Sequence, residues 1–359
     1  MIYKKSGKIK CHIELSNYCN AACPMCGRNN IKGNYPHEMS IRKDVDNSEL
    51  RIDDIKKIFD DRFFETYDLD VINMCGNRGD PATSKDLFEI CEYLYYKQND
   101  LKITIATNGG LKTAKYWKDL GELFAFYDNG SKVTFGIDGL KDTNHIYRQN
   151  VIFDRVIKNA QGFIDGGGTA WWQYLIFKHN EHQVDEAKKL ADDMGFKLFF
   201  IMHTPRFAHK QKGEGKMTFN YKGEQFDLET VDPEFGQRQE AYKFIKSDES
   251  EEIECKAMEN KEFYIDNGGR VIPCCWLGNS LDWMLGGERQ NVKDRIMMLY
   301  DPIEMNAINN DLVDLLQHDF MTKEVPMSWE NIQGENCAAK TCKMFCSKTK
   351  NIRKKPIVL

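Results

Sequence analysis

The sequence predicts an α/β protein: a partial (β/α)6 barrel of the TIM type with a small cysteine-rich domain behind it. Three observations carry that prediction. Over the first two hundred residues, short β-rich runs alternate with helix-period segments, the pattern of a parallel sheet with helices outside. Six such units can be counted, too few for the usual eight-stranded barrel, so the sheet is expected to stay open. Finally, the 12 cysteines avoid residues 92–254 and gather on either side, which sets a metal-organised C-terminal region apart from the alternating part.

The elements follow in order. KIKCHIEL (8–15) reads as the first strand; the cysteine-containing loop and a polar connection then lead to a helix near 51–66. LDVINMC (69–75) is the second strand and ends in GNRGDP, a turn by its glycines and proline. SKDLFEICEYLYYK (84–97) places Leu87, Ile90, Cys91 and Leu94 on one helical face. LKITIAT (101–107) is closed by NGG and followed by a helix around 112–126. SKVTFGIDG (131–139) gives the fourth strand, and FDRVIKNAQGFI (153–164) a helix with Val156, Ile157, Ala160, Phe163 and Ile164 at helical spacing. WWQYLIF (171–177) and FKLFFIM (196–202) flank a helix at 182–194. The polar stretch 209–225 has no apolar period and reads as a linker or loop, and the last third is irregular apart from helix signals at 303–318. The expected organisation is a barrel over 1–208, a connecting segment over 209–250 and a cysteine-rich domain over 251–359.

Composition narrows the function. The chain has 359 residues, 41% hydrophobic and 29% charged, as globular proteins do. A formal charge of −5 argues against a dominant nucleic-acid or anionic-membrane surface. No run reaches the roughly 20 apolar residues of a membrane span, and MIYKKSGKIKCHIEL lacks the apolar core of a signal peptide. A cytoplasmic location is expected. There, cysteines serve metal binding or catalysis rather than disulfides. Cys11, Cys75 and Cys91 lie in apolar segments and are expected to pack as small buried hydrophobes.

CNAACPMC (19–26) spaces Cys19, Cys23 and Cys26 as C-x3-C-x2-C directly after the first strand, at the end where such folds place their chemistry. Structural zinc takes four ligands, and no second pair follows closely. A cubane cluster held by three thiolates instead keeps one iron open to a ligand.

These residues resemble the motif of the radical S-adenosylmethionine (SAM) enzymes, with Met25 at the apolar position before the last cysteine. The resemblance implies a [4Fe-4S] cluster on Cys19, Cys23 and Cys26, whose open iron chelates S-adenosylmethionine. Reductive cleavage there gives a 5′-deoxyadenosyl radical that abstracts a substrate hydrogen atom. RGDP (78–81) looks like the family's GGEP motif, with Arg78 for glycine and Asp80 for glutamate, so Gly79, Asp80 and Pro81 are expected near the methionine amino group. ATNGG (106–110) matches the family's TNG, which brings in Thr107 and Asn108. GIDGLKDTNHIYR (136–148) resembles the fourth-strand segment, with Gly136 in place of serine; Asp138 and Arg148 are expected to approach the cofactor's ribose or carboxylate.

CKAMENKEFYIDNGGRVIPCCW (255–276) resembles the opening of a SPASM or twitch module, with a β-hairpin turning at NGG, and CAAKTCKMFC (337–346) supplies further cysteines. The resemblance implies one auxiliary [4Fe-4S] cluster on Cys255, Cys274, Cys342 and Cys346, with Cys337 or Cys275 as a substitute ligand; a zinc ribbon is the alternative. It further implies an external electron donor such as flavodoxin or ferredoxin. The substrate is expected to be a small molecule, because only 18 residues precede Cys19 and leave no room for a peptide-recognition domain. A SPASM-type maturase of ribosomal peptides is one alternative, and a non-catalytic iron–sulfur or zinc protein another.

Overall fold

The computed structural model describes residues 3, 7–32, 37–42, 45, 47–204, 207, 215–232, 252–285, 295–330, 340–346 and 357–358. The strands are β1 (Lys8–Ile13), β2 (Asn29–Lys32), β3 (His37–Ile41), β4 (Asp68–Met74), β5 (Lys102–Thr107), β6 (Lys132–Gly136), β7 (Ala170–Leu175), β8 (Leu198–Met202), β9 (Lys216–Tyr221), β10 (Glu224–Glu229), β11 (Glu262–Ile265), β12 (Val271–Ile272) and β13 (Ile357–Val358). Nine of them form one sheet in the order β12-β11-β1-β4-β5-β6-β7-β8-β13. Within it β1 and β4 to β8 are the six anticipated strands, all parallel and neighbours in chain order. Helices α1 (Ile52–Ile58) and α2 (Asp61–Thr66), α3 (Leu87–Lys97), α4 (Ala114–Tyr127), α5 (Asn144–Tyr147) and α6 (Phe153–Asp165), and α7 (Val184–Met194) make the crossovers. This is a partial, TIM-like barrel. It is open, and further strands flank the six: β11 pairs in parallel with β1, and β13 pairs antiparallel with β8.

Strand alternation sorts the two faces. β7 buries Ala170, Trp172 and Tyr174 and leaves Trp171, Gln173 and Leu175 partly open. On the helix side the core is apolar: Ile72, Ile103, Ile105, Val133 and Phe135 are fully buried beneath α3, α4 and α6. Trp117 and Phe124 of α4 meet Phe163 of α6 edge-to-face at 6.3 and 5.7 Å. Cys11 and Cys91 lie in this core as expected, whereas Cys75 is only half-buried at the end of β4. A cavity of about 320 Å³ is lined by polar and apolar residues alike, among them Lys10, Asn73, Thr104, Lys132, Val71 and Ile105.

Two features depart from expectation. A second sheet, in the order β10-β9-β3-β2, takes in residues 216–229, which overlap the stretch expected as a linker or loop. β9 and β10 form a two-residue hairpin whose turn, Lys222–Gly223, has both φ angles positive. Met217, Phe219 and Leu228 are buried, and Phe219 stacks on Phe226 at 5.4 Å. The apolar alternation is real but only a few residues long, with lysines masking it. The C-terminal third also carries an unanticipated helix, Cys275–Leu285, and the helix signal at 303–318 reduces to Leu312–Leu315, capped by Asp311. The hairpin expected around NGG is present, with Tyr264 opposite Ile272 and Ile265 opposite Val271. Among the described residues, no helix is long and apolar enough to cross a membrane.

The loop after β7 contains an unusual histidine. Among the described residues, neither ring nitrogen of His179 meets a hydrogen-bond partner, and its ring stacks on Phe177 at 5.3 Å. Burial, followed by the charges of His145 and His182, pulls its pKa down to about 4. An unfolded histidine takes up its proton near pH 6.5, so the stability present above that pH is lost as the pH falls towards 4. Melting temperatures from pH 7 to 4.5 are expected to fall less in His179→Phe than in the wild type. Equal slopes for the two proteins would show that His179 does not contribute.

Candidate active site

From the end of β1 the chain enters the cysteine loop at the C-terminal edge of the sheet. Cys26 N–H donates to the Cys23 carbonyl (3.0 Å) and Asn29 N–H to the Cys26 carbonyl (3.1 Å), while Asn29 Nδ2 donates to the Cys23 carbonyl (2.7 Å). Ala22 N–H donates to the carbonyl of Gln149, next to Arg148. Cys23 is buried, and Cys19 and Cys26 are half-buried. Burial, then Asp80 and Cys23, pushes the Cys19 thiol up; burial pushes Cys23 up to about 11 against the pull of Arg148. Thiols grouped this way bind as thiolates only to a centre that itself supplies positive charge.

The RGDP and TNGG loops interlock beside this loop. Asp80 Oδ1 accepts from Ala82 N–H (2.9 Å) and Thr107 Oγ1 (2.8 Å), and Oδ2 from Asn108 N–H (2.7 Å) and Asn108 Nδ2 (2.6 Å). The carboxylate, expected to be available to an ammonium, is therefore already occupied by four donors of the fold. It caps the 3-10 turn Pro81–Thr83, with Pro81 at its first position. Asn108 Nδ2 also lies 3.7 Å from Cys19 Sγ and 2.9 Å from Asn20 Oδ1, so the TNGG loop reaches the cysteines directly. Gly79 is required here: a Cβ would stand 1.7 Å from the Ser16 carbonyl oxygen.

On the other side, Asp138 is fully buried between Leu175 N–H (2.7 Å) and Arg148 Nε (2.6 Å). Arg148 Nη1 lies 3.9 Å from Cys23 Sγ. A Cβ at Gly136 would come within 2.4 Å of Arg148 Nη2, which accounts for glycine where the family motif has serine. Asp138 thus aims Arg148, and Arg148 faces the thiols. Met25 is buried, with Thr204 Oγ1 3.9 Å from its sulfur, which ties the cysteine loop to the end of β8. N–H donors beside clustered sulfurs are the surroundings that iron–sulfur thiolates take, so the residues present fit such a group.

The C-terminal cysteines form a second group. Cys255 hydrogen-bonds with Cys346, and this contact, then burial, then Cys274 and Cys342, raises its pKa. Glu254 N–H donates to the Cys346 carbonyl at 2.7 Å, fixing the segment before Cys255 to the helix Lys340–Cys346, which carries both Cys342 and Cys346. Cys274 is pushed up to about 12 by burial first and its neighbour Cys275 next. Cys337 lies outside the described residues. Among the described residues, no three Cys, His, Asp or Glu side chains converge as closely as a single metal ion requires.

A family model described as the radical SAM superfamily matches residues 13–193, the span holding the cysteine loop, RGDP, TNGG and Arg148. The chain belongs to the radical SAM superfamily. Membership implies a [4Fe-4S] cluster and S-adenosylmethionine. No curated protein matches the chain. Among solved structures, Streptococcus suis SuiB bound to S-adenosylmethionine is similar, with a TM-score of 0.51 and 18% identity over 88% of this chain and 66% of SuiB. This radical SAM chain therefore spans just under two thirds of SuiB's length. anSMEcpe with bound AdoMet gives a TM-score of 0.52 at 15% identity over 87% of this chain and 81% of that one. The same protein with AdoMet and the Cp18Cys peptide gives 0.50 at 15% identity over 94% and 89%. At these identities the likeness is one of fold.

Sequence reasoning missed Glu14. Its Oε1 accepts from Arg78 N–H (2.9 Å) and Gly79 N–H (2.8 Å), so it holds the RGDP loop of this radical SAM core by its main chain. The signal was the period-2 placement of Lys10, His12 and Glu14 on the concave side of KIKCHIEL.

Proposed function

We propose that the chain is a radical SAM enzyme with one auxiliary [4Fe-4S] cluster that oxidises or otherwise modifies a small molecule. The observation that supports it most is the convergence of the Cys19–Cys23–Cys26 loop with the RGDP and TNGG loops and the Arg148 guanidinium at one end of the parallel sheet. Bound there, the cluster and S-adenosylmethionine supply the 5′-deoxyadenosyl radical chemistry.

The protein's own residues do the rest. Cys19, Cys23 and Cys26 would hold the core cluster, while Met25 and Asn108 fix the loop that carries them. Gly79, Asp80, Pro81 and Thr107 form the ledge for the methionine end. The Asp80 carboxylate already accepts from four donors, so main-chain carbonyls of that ledge would have to meet the ammonium. Arg148, aimed by Asp138, offers its remaining N–H groups to a carboxylate. Cys255, Cys274, Cys342 and Cys346 would hold the auxiliary cluster. Electrons come from a flavodoxin- or ferredoxin-like donor, and the location is cytoplasmic.

Peptide modification is the second reading, favoured by the fold shared with SuiB and with anSMEcpe, whose structures include peptide-bound forms. The test is anaerobic reconstitution. About eight irons per chain and dithionite-dependent 5′-deoxyadenosine are expected, with consumption of S-adenosylmethionine stimulated by small polar molecules. Stimulation by peptides alone would favour the second reading. Bound zinc with no cleavage would overturn both.

A further inference from the structure

The RGDP loop and the auxiliary cysteines share one hydrogen-bonded bridge. Glu14, holding Arg78 and Gly79 through Oε1, accepts at Oε2 from the Tyr264 hydroxyl (2.8 Å). Tyr264 belongs to β11, beside β1 in the sheet. Asn77, immediately before RGDP, donates from Nδ2 to that same hydroxyl (3.2 Å) and to the carbonyl of Cys275 (3.0 Å). Cys275 opens the helix that follows Cys274. That helix rests on the Tyr264 ring through Gly278, where a Cβ would stand 2.7 Å from Cε1. The aromatic edge of His12 also meets Tyr264, with ring centroids 5.0 Å apart.

Glu14 and Tyr264 are buried, Asn77 is half-buried, and hydrogen bonds join the three, so a shift of the Cys274–Cys275 corner is passed along them. A movement there displaces Asn77 and the Tyr264 ring. Among the described residues, Tyr264 is one of three donors to the Glu14 carboxylate, the other two being the main-chain N–H groups of the ledge itself.

We infer that Tyr264 and Asn77 are positioning residues that couple occupancy of the auxiliary cysteine site to the shape of the RGDP ledge, and so to affinity for S-adenosylmethionine. This rests on the proposed function. It goes beyond it by giving the C-terminal cysteines a role in cofactor affinity, reciprocal by linkage.

The experiment is equilibrium dialysis of S-adenosylmethionine against the reconstituted full chain, with iron counted in every sample. Tyr264→Phe is expected to raise Kd about tenfold with iron unchanged, and Asn77→Ala several-fold, in keeping with loss of buried hydrogen bonds near a charged group. Cys274→Ala, which removes the auxiliary irons, is expected to raise Kd by a similar factor. Combined with Tyr264→Phe it is expected to add less than about twofold, because the two share one path. Asn77→Ala carries the same double-variant test should Tyr264→Phe fail to fold. Wild-type affinity in Tyr264→Phe and Asn77→Ala, or factors that simply multiply in the double variant, would overturn the bridge alone. A wild-type chain with full iron that binds no S-adenosylmethionine would overturn the functional reading and the bridge together.

Discussion

Cys23→Ala is expected to abolish cleavage of S-adenosylmethionine and to lower bound iron from about eight to about four per chain. Cys23 is the buried member of the loop triad, the one whose sulfur faces Arg148 and whose carbonyl receives both Cys26 N–H and Asn29 Nδ2. Alanine removes a ligand and leaves the backbone bonds in place, so the loop keeps its course while the centre loses one of three attachments. The matched control is Cys342→Ala, which is expected to lower iron by a similar amount while the core cluster remains. Electron paramagnetic resonance of the reduced proteins separates the two losses. Normal cleavage by Cys23→Ala would show that the assignment of the core site is wrong.

Asp80→Asn is expected to destabilise the chain by about 2–4 kcal/mol, measured by urea unfolding, since each buried donor left unpaired costs about 1–3 kcal/mol. The carboxylate accepts four hydrogen bonds and is 4% exposed. An asparagine can keep the pair from Ala82 and Thr107 on its oxygen. Its amide nitrogen must then face Asn108 N–H and Nδ2, donor against donor, with no room to turn away. S-adenosylmethionine affinity is expected to fall with it, because the same carboxylate joins RGDP to TNGG. A loss below about 0.5 kcal/mol, the range of ordinary surface changes, would mean that the loops are held by something else.

Much of this site could be read in the sequence because it consists of loops at fixed offsets from strands. CNAACPMC, RGDP, TNGG and DG…R each follow a run whose β character is plain, and the parallel topology brings their ends together. The NGG turn likewise gave away the β11–β12 hairpin. Less visible were interactions whose partner lies far along the chain. Glu14 carries the right period on its own strand, but its role depends on Tyr264, 250 residues away, and on main-chain groups with no side-chain signature. The occupied state of Asp80 was hidden for the same reason, since its donors include two backbone amides. The second sheet escaped notice because each strand holds only one to three apolar residues among polar ones, too short a stretch for period-2 alternation to stand out.

The pairing of β1 with β11 also sets an order of events for the chain as it is made. β1 is synthesised before β4 to β8, yet the neighbour that covers its outer edge, Lys10 with Glu262 and Ile13 with Ile265, emerges only after all of them. Until then an apolar strand with unpaired amides faces the surroundings, a template for wrong partners. A truncated protein ending at the barrel would carry that bare edge permanently. The cysteine-rich region is therefore part of the barrel's wall, and expression of the first 208 residues alone should give aggregates rather than a smaller enzyme.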